Sequence, residues 1–538
     1  MTIPARIPPR RLAMPVAAVA FATVLAGCSG ASETPTSDTP DAEPAAVQDV
    51  VFALKEDPTC LDPQQTSMTT SLNVGRQLTD SLLDQDAETG DIVPWLASDW
   101  SVNDDATAYT FTLAEGVTFS DGTALTSDVV AANFDAIVEL GAAASLASAY
   151  LGGYAGTDVI SDTEFTVNFS APNVQFAQGA TTMSLGILSA ETVAASAEER
   201  CLSLVGTGPF VLDSYVVNDS VKIVKREGYD WGSELRGHTG EAYLDSVTFP
   251  IITEASVRTG GLESGEYDLI QDVPYIDEAR FAGDEYHLYA AANPGVPNAF
   301  LVNTTHGLMG EEAVRQAITK SLDRDQINVL TGSVSGQAPT SVLTSSTPGY
   351  TDLGDTLAYD PEGAAALLEA DGWELGADGI YERDGEALTF TVTAFYAQDV
   401  LEAAQIQLAD NGIDMQINMV SAGDFFGAIA TGDYDALGAG LTRTDPDVLR
   451  VLLSVDGGSR WAIAEDDELE ALLQEQAATV DTDARQAIID EIQQLVAERA
   501  YVIPTLETVQ LHASSSSVEG LTFDSAARIN LYDAVVVD

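Results

Sequence analysis

Basic residues are scarce in this chain. Only 22 of its 538 residues are lysine or arginine, against 84 acidic residues, and the formal net charge is −62. Lysine occurs at Lys55, Lys222, Lys225 and Lys320. A protein that binds nucleic acid needs a basic stripe along the phosphate backbone, so nucleic acid is excluded as a partner. We interpret the acidity as a property of the whole surface rather than as a ligand-steering field, because salt screens such a field.

Histidine and cysteine are rarer still. The four histidines are far apart in sequence, and no HExxH, GxSxG or Walker-type motif is present. These absences argue against zinc proteases, α/β-hydrolases and NTPases. A carboxylate-based extracellular glycosidase stays as an alternative, because acidic pairs abound. No CxxC motif or Cys/His cluster indicates a metal site, so we expect no catalytic residue, no metal ligand and no cofactor.

The N-terminal residues carry the pattern of an export signal. Arg6, Arg10 and Arg11 precede an apolar run over 12–25, which ends in Leu-Ala-Gly before Cys28. A basic start, a short apolar stretch and small residues before the cleavage site are typical of a secretory signal. The segment 25–28 resembles the bacterial lipobox, in which the cysteine receives a lipid. The alternative is an ordinary signal peptide with an incidental cysteine.

Cys28 is therefore the expected membrane anchor. We expect residues 1–27 to be removed and the lipid on Cys28 to hold the protein on the outer face of the cell membrane. Residues 28–47, rich in Ser, Thr, Pro and acidic residues and without aromatics, are expected to form a disordered tether. No second apolar run is expected to reach the length of a membrane span.

The remaining cysteines are Cys60 and Cys201. They form an even pair in a compartment that is oxidising after export. A disulfide between them is the natural hypothesis, and two buried free thiols are the alternative.

Strand and helix patterns alternate along the rest of the chain. Alternating apolar residues at 109–113 and 165–169 predict half-buried strands. The fold class is therefore α/β with mixed sheets. Helical spacing and capping residues predict helices over 126–137, 311–322, 360–372 and 484–498.

Two segments, 262–270 and 429–437, share one pattern: a helix end, a glycine cap, an acidic-Tyr-Asp turn and an apolar strand. Because each unit feeds its own buried strand, we expect two separate sheets with a ligand cleft between them. Chance similarity of short turns is the alternative.

Three further segments resemble one protein family. Residues 109–133, with the sequence YTFTLAEGVTFSDGTALTSDVVAAN, are similar to the signature of the family 5 solute-binding proteins. The Gly-Thr-Gly-Pro-Phe turn at 206–210 and the passage from 301–304 to 314–318 resemble two later segments of the same family. Each turn alone would suit any α/β protein, whereas the three together, in this order, are specific.

The resemblance implies a two-lobed periplasmic-binding-protein-like fold of class II, cluster C, with an extra inserted domain. By analogy the extra domain covers 86–199 and the second lobe covers 293–504, with hinges near 291–301 and 503–511. The first lobe would combine 48–85, 200–292 and 505–538.

The family implies the function of a substrate-binding lipoprotein of an ABC importer. Such a protein captures an extracellular solute and delivers it to the permease subunits. An oligopeptide or peptide-like compound is the expected solute, and a monomer is the expected state. Nickel chelates, opines and other non-peptide solutes are the alternative cargo.

One family feature is missing. In peptide-binding relatives an aspartate four residues before a proline holds the α-amino group of the peptide, but counting back from Pro446 places Thr442 there. Arg443 offers a fork of donors suited to a carboxylate or phosphate, which favours an anionic or zwitterionic solute. The alternative for Arg443 is a structural ion pair with Asp445 or Asp447. Asp445 is the candidate for an ammonium group if the loop shifts.

Other positions are candidate ligand contacts. Thr69 and Thr70 lie where relatives bring a polar loop to the ligand, and Tyr396 is at the end of a predicted strand that faces the cleft. Trp461 offers an indole that can stack on a solute. Core packing or a turn role is the alternative for each of them.

Overall fold

The computed structural model describes residues 48–331, 334–456, 459, 461–462 and 465–537. The expected signal peptide at 1–27, the lipid site at Cys28 and the tether at 28–47 lie outside the described residues.

A seven-stranded mixed sheet forms the first lobe. Strand Asp49–Ala53 pairs in parallel with Ser246–Pro250 on one side and with Leu269–Gln271 on the other, while the outer strands pair antiparallel. Phe52, Ile223 and Phe249 are fully buried in its core. The strands follow the order Tyr286–Ala292, Val509–Ser515, Leu269–Gln271, Asp49–Ala53, Ser246–Pro250, Ser220–Lys225 and Phe210–Val216.

A five-stranded mixed sheet forms the second lobe, and a hydrophobic core packs on each of its faces. Its strands follow the order Asp414–Met419, Thr389–Ala394, Ala436–Thr442, Gly295–Val302 and Val502–Leu506. Its helices are Glu312–Lys320, Arg324–Thr331, Pro361–Ala370, Gln398–Asp410, Ala422–Thr431, Val448–Leu453, Asp467–Ala478 and Thr482–Glu498.

A four-stranded antiparallel sheet lies in the segment inserted between strands of the first lobe. Its order is Ala97–Val102, Ala108–Leu113, Glu164–Phe169 and Tyr154–Val159. Helices Ser127–Leu140 and Ser145–Tyr150 pack on it. We call this unit the inserted domain.

One continuous helical segment of the inserted domain, Ser127–Tyr150, is long and apolar enough to cross a membrane by length and composition. The expectation that no second apolar run reaches that length was therefore wrong. Phe134 and Ile137 of this segment are fully buried in the core of the inserted domain.

Shorter elements complete the described chain. Small sheets pair Leu83–Gln85 with Ile92–Pro94, Val518–Glu519 with Val535–Val536, Thr522–Phe523 with Ile529–Asn530, and Tyr381–Arg383 with Glu374–Leu375 and Glu386–Ala387. The remaining α-helices are Thr69–Leu78, Phe176–Gly179, Ala190–Ala194, Ala197–Leu202 and Ala255–Ser264, and 3₁₀ turns are Pro63–Gln65, Gly141–Ala144, Met183–Leu185, Tyr275–Arg280 and Gly307–Gly310.

The two helix-to-strand units predicted from the sequence are confirmed. Helix Ala255–Ser264 ends at Gly265 with a φ of 73°, and helix Ala422–Thr431 ends at Gly432 with a φ of 71°. Glycine adopts this left-handed conformation without a Cβ clash. The first unit feeds the seven-stranded sheet and the second the five-stranded sheet, so the expectation of two separate sheets is also confirmed.

Two neighbouring chain connections join the lobes. Strand Tyr286–Ala292 continues into Gly295–Val302, and Val502–Leu506 continues into Val509–Ser515. The Asn293 N–H donates to the Thr508 carbonyl oxygen at 3.3 Å, and the side chain of Gln510 donates to Asn293 Oδ1 at 2.7 Å. The connections are thus hydrogen-bonded to each other at the base of the cleft.

The structure joins Cys60 and Cys201 by a disulfide. Next to it, the Leu61 N–H donates to the Cys201 carbonyl oxygen at 2.9 Å, and Arg200 forms a buried ion pair with Asp62 at 2.7 Å. The bond ties the start of the first lobe to the chain that leaves the inserted domain.

Candidate functional site

The cleft between the two sheets holds two adjoining cavities of about 410 and 470 Å³. Each is lined by residues of both lobes, which is the usual setting of a ligand site in such proteins. The residues shared by both cavities are Thr69, Tyr396, Gly440, Leu441 and Thr442.

The smaller cavity, which we call the hinge compartment, lies against the two connections and is lined by Asn293 and Thr508. Three charged side chains face it: Lys55 and Asp272 from the first lobe and Asp399 from the second. Lys55 Nζ lies 3.5 Å from Asp272 Oδ1. Among the lining side chains one cation stands against two carboxylates, which gives the lining a negative balance, and Arg258 outside the lining lies 3.7 Å from Asp272 Oδ2.

The larger cavity, which we call the arginine compartment, contains Arg443 from the second lobe and Arg528 from the first. Arg443 is 8% exposed, and its Nη1 has no hydrogen-bond partner among the described residues. Its guanidinium carbon lies 4.5 Å from the ring centroid of Tyr150 in the inserted domain. All three parts of the fold therefore meet at this compartment.

Arg528 is held without a direct carboxylate partner. It donates to Thr69 Oγ1 at 2.9 Å, and within the described chain it makes no ion pair. The nearby Asp524 instead pairs with Arg76 at 3.0 Å. Burial lowers the pKa of the Arg528 guanidinium, and Asp524 partly opposes this shift. The compartment thus holds two buried cationic groups with spare capacity for an anion.

Aromatic rings form one wall of the arginine compartment. The Phe426 ring centroid lies 6.1 Å from that of Phe395 and 6.0 Å from that of Trp461. Phe426 is 50% exposed, although it belongs to an apolar helix face. Such a wall can cover an apolar side chain or stack on a planar group of a solute.

Tyr396 stands at the boundary between the compartments. The strand before it ends at Ala394, two residues earlier than predicted. The Tyr396 hydroxyl accepts a hydrogen bond from the Gly440 N–H at 2.8 Å and donates to Asn298 Oδ1 at 3.3 Å. These bonds fix the ring on the neighbouring strands, so its position in the cleft does not depend on a ligand.

Most of the predicted contact residues line the cleft. Thr69, Tyr396 and Thr442 line both compartments, and Arg443 and Trp461 line the arginine compartment. The suggested ion pair of Arg443 is not present within the described residues, because Asp445 is bound by Arg485 and Asp447 by Arg450.

The structure does not place Thr70 or Asp445 in the lining of either cavity. Thr70 lies in the first turn of its helix, fully buried, and donates to Gln271 Oε1 at 3.1 Å. Asp445 accepts two hydrogen bonds from Arg485, at 2.6 and 3.0 Å. A carboxylate held in this bidentate way is not free to receive an ammonium group.

Sequence reasoning missed most of the lining, including the residues on which the site's chemistry depends: Lys55, Asp272, Asp399, Phe426, Gln510, His512 and Arg528. Gln510 and His512 are two apart on strand Val509–Ser515 and therefore share one face of the sheet. The sequence could have predicted that these two side chains lie on the same face of the strand. It could not have predicted that this face lines the cleft.

Carboxylates, histidines and cysteines form no group of three or more that could hold a metal ion within the described part of the chain.

Comparisons with known proteins agree with this geometry. The profile described as bacterial extracellular solute-binding proteins, family 5 Middle, matches residues 91–462. The glutathione-binding protein GsiB of Salmonella paratyphi A is 27% identical over 389 residues, which cover 70% of each chain.

Solved structures share the fold. NikA from Brucella suis, in complex with Fe(III)-EDTA, superposes with a TM-score of 0.78 at 20% identity over 91% of this chain and 99% of its own. A dipeptide-binding protein from Pseudoalteromonas sp. SM9913, in complex with Met-Leu, gives a TM-score of 0.74 at 22% identity over 91% and 100%. The predicted α/β fold of two lobes is confirmed, and the chain belongs to family 5 of the bacterial extracellular solute-binding proteins.

Proposed function

We propose that this protein captures a zwitterionic, peptide-like solute for an ABC importer. The family membership makes it an extracytoplasmic solute receptor rather than an enzyme. The choice of solute rests on one observation: the cleft holds two buried arginines without carboxylate partners at one end and a negative balance at the other.

The arginine compartment is suited to a carboxylate. Arg443 Nη1 is already desolvated and unpartnered, and Arg528 lies on the opposite lobe. A charge-assisted hydrogen bond to such a group contributes about 1.5–3 kcal/mol. The chain has a net charge of −62, but the two arginines without carboxylate partners make this cavity unfavourable for cations.

The hinge compartment is suited to an ammonium group. Asp272 and Asp399 approach it from different lobes. Among the lining side chains Lys55 offsets their charge, and Arg258, outside the lining, also lies 3.7 Å from Asp272 Oδ2. This pair takes over the role of the family aspartate that Thr442 replaces. A peptide laid across Tyr396 would then have its amino end at the hinge compartment and its carboxylate at the arginine compartment.

The ligands of relatives share this chemistry. GsiB is named for glutathione, and solved relatives hold Met-Leu and Fe(III)-EDTA. All three ligands carry carboxylates. A metal chelate is the second candidate, because the arginine pair alone would suffice for a polycarboxylate.

Capture would be coupled to lobe closure. Glu278 of the first lobe accepts hydrogen bonds from the backbone N–H groups of Val334 and Ser335 of the second lobe, at 2.6 and 3.1 Å. A carboxylate bound by Arg443 and Arg528 would add a bridge between the same lobes. A solute that contacts both lobes favours the closed state by its differential affinity, and the closed state would be the form that the permease recognises.

Anchoring through Cys28 is part of the same proposal. The lipobox-like segment 25–28 supports it. Replacement of Cys28 by serine should abolish palmitate incorporation and release the protein from the membrane fraction. The protein is proposed to act as a monomer, which light scattering of the purified protein tests.

The test of the solute uses capped ligands. Thermal unfolding and calorimetry of the purified protein would compare Met-Leu with its C-terminal amide and its N-acetyl derivative, with glutathione and Fe(III)-EDTA in parallel. A bound ligand raises stability by about 2.7 kcal/mol at a hundredfold excess over its Kd. We expect Met-Leu to bind and each cap to weaken binding at least tenfold. Equal binding of the capped forms would contradict the proposal. If Fe(III)-EDTA binds and the peptides do not, the solute of this receptor is a metal chelate.

A further inference from the structure

Strand Val509–Ser515 contributes Val509, Gln510, Leu511 and His512 to the floor of the hinge compartment, and Gln510 and His512 lie on one face of the sheet. Gln510 and His512 both line the cavity there. In the sheet, His512 is the direct neighbour of Gln271, which lines the same cavity. The imidazole is 1% exposed and lies between two rings, with centroids 6.2 Å from Phe52 and 5.6 Å from Phe523.

The polar atoms of this floor are not satisfied by the described part of the protein. Both ring nitrogens of His512 and Oε1 of Gln510 lack a hydrogen-bond partner among the described residues. The amide nitrogen of Gln510 is fixed by its bond to Asn293 Oδ1 at 2.7 Å, so Oε1 has a defined position. Buried polar atoms in folded proteins are nearly always paired, and these three unpaired atoms belong to two residues that line the same cavity. We therefore look for the missing partner in the ligand.

The imidazole is neutral. Burial lowers the pKa of His512 to about 4, so at neutral pH one ring nitrogen is a donor and the other an acceptor. Together with Gln510 Oε1, the floor therefore offers two acceptors and one donor. A peptide amide can use both kinds of group, because its N–H can donate to one of the acceptors and its carbonyl oxygen can accept from the donor. A carboxylate cannot, because it brings no proton to the two acceptors.

We propose that Gln510 and His512 bind an amide group of the solute and thereby set its orientation in the cleft. This inference rests on the proposed function, since it places the peptide amide in the hinge compartment and leaves the carboxylate to the arginines. It adds a selection that charge alone cannot make, between a peptide and an ester or a simple amino acid of the same charge.

The experiment compares Met-Leu with its ester analogue, in which oxygen replaces the amide N–H. Calorimetry would be run on the wild-type protein and on the variants His512→Phe and Gln510→Met, which keep volume while removing the polar atoms. The control is His287→Phe, on the edge strand outside the cleft. Thermal unfolding and circular dichroism show that each variant is folded.

We expect the wild-type protein and the His287→Phe control to prefer Met-Leu over the ester about tenfold. In His512→Phe and Gln510→Met this preference should fall to about twofold or less, while the preference for the free over the amidated C-terminus persists. An unchanged preference for Met-Leu over the ester in both cleft variants would overturn the inference and leave the proposed function intact. Failure of the wild-type protein to bind Met-Leu and glutathione would overturn the proposed function, and this inference with it.

Discussion

The guanidinium of Arg443 lies over the ring of Tyr150, with 4.5 Å between its central carbon and the ring centroid. The two residues belong to the second lobe and the inserted domain. A cation over an aromatic face is attracted to it, and Arg443 belongs to the solute cleft. The inserted domain therefore orients a binding group of the cleft before any solute arrives, which reduces the ordering that binding requires.

Replacement of Arg443 by alanine should weaken binding of a carboxylate-bearing solute about 10- to 100-fold. The reason is the loss of one or two charge-assisted hydrogen bonds in a desolvated site. Calorimetric titration with Met-Leu measures the change. Arg280→Ala is the matched control, because Arg280 is an exposed arginine paired with Glu263 and Asp277. An Arg443→Ala protein with wild-type affinity would show that the carboxylate lies elsewhere.

Replacement of Glu278 by alanine should destabilise the closed arrangement of the lobes. The side chain is buried and accepts the Val334 and Ser335 N–H groups across the cleft. Loss of two such bonds is expected to cost about 1–2 kcal/mol, which corresponds to a roughly 5- to 30-fold weaker Kd. Small-angle X-ray scattering with saturating ligand should still show closure, at a higher ligand concentration.

Glu263→Ala provides the control for this variant, because Glu263 is an exposed acidic residue of the same lobe. If both variants bind with the same affinity, the Glu278 contact contributes nothing to closure.

Loss of the disulfide should lower the stability of the protein. The bond links residues 141 positions apart, and a loop of that length restricts the unfolded chain by an amount worth about 2–5 kcal/mol. Urea unfolding of the double variant Cys60→Ser, Cys201→Ser should show a lower midpoint than the wild-type protein. Reductant should lower the midpoint of the wild-type protein and leave the variant unchanged. Two free thiols per non-reduced, unfolded wild-type chain would contradict the bond.

Local sequence signals predicted many elements of the fold. Asp360 was recognised as a helix cap, and its side chain accepts the Gly363 N–H at 2.9 Å. Alternation at 109–113 predicted the strand Ala108–Leu113. Such signals are local because capping and strand alternation involve residues a few positions apart.

The site was only partly predictable, because its residues meet through long-range packing. Arg443 could be found from its place beside a family motif. Arg528 could not, since it reaches the cleft through the C-terminal return of the chain and bonds to Thr69, 459 positions away. Asp445 was misplaced for the same reason: its partner Arg485 lies on a later helix, and no local pattern indicates that pairing.

The protein should become more stable as the pH falls, because the buried Asp80 takes up a proton. Burial raises the pKa of this carboxyl from 3.8 to about 6, so between these values the native state holds a proton that the unfolded state has lost. By linkage, the free energy of unfolding rises on acidification from about pH 6 towards pH 4, by up to about 3 kcal/mol from this group. Asp80→Asn, which keeps an acceptor for the Trp231 N–H, should lose this gain relative to the wild-type protein.

Burial of His512 acts in the opposite direction. Its pKa is lowered from 6.5 to about 4, so between these values the unfolded state binds a proton that the native state excludes, and stability falls as the pH drops. In the wild-type protein, the contributions of Asp80 and His512 to the pH dependence of stability therefore nearly cancel. Urea unfolding at pH 7 and pH 4.5 should show His512→Phe gaining about 2–3 kcal/mol on the wild-type protein at the lower pH, while Asp80→Asn loses a similar amount. If the stability of His512→Phe changes with pH as that of the wild-type protein does, the pKa of His512 is not lowered in the native state, because only a histidine that resists protonation gives this replacement a gain at low pH.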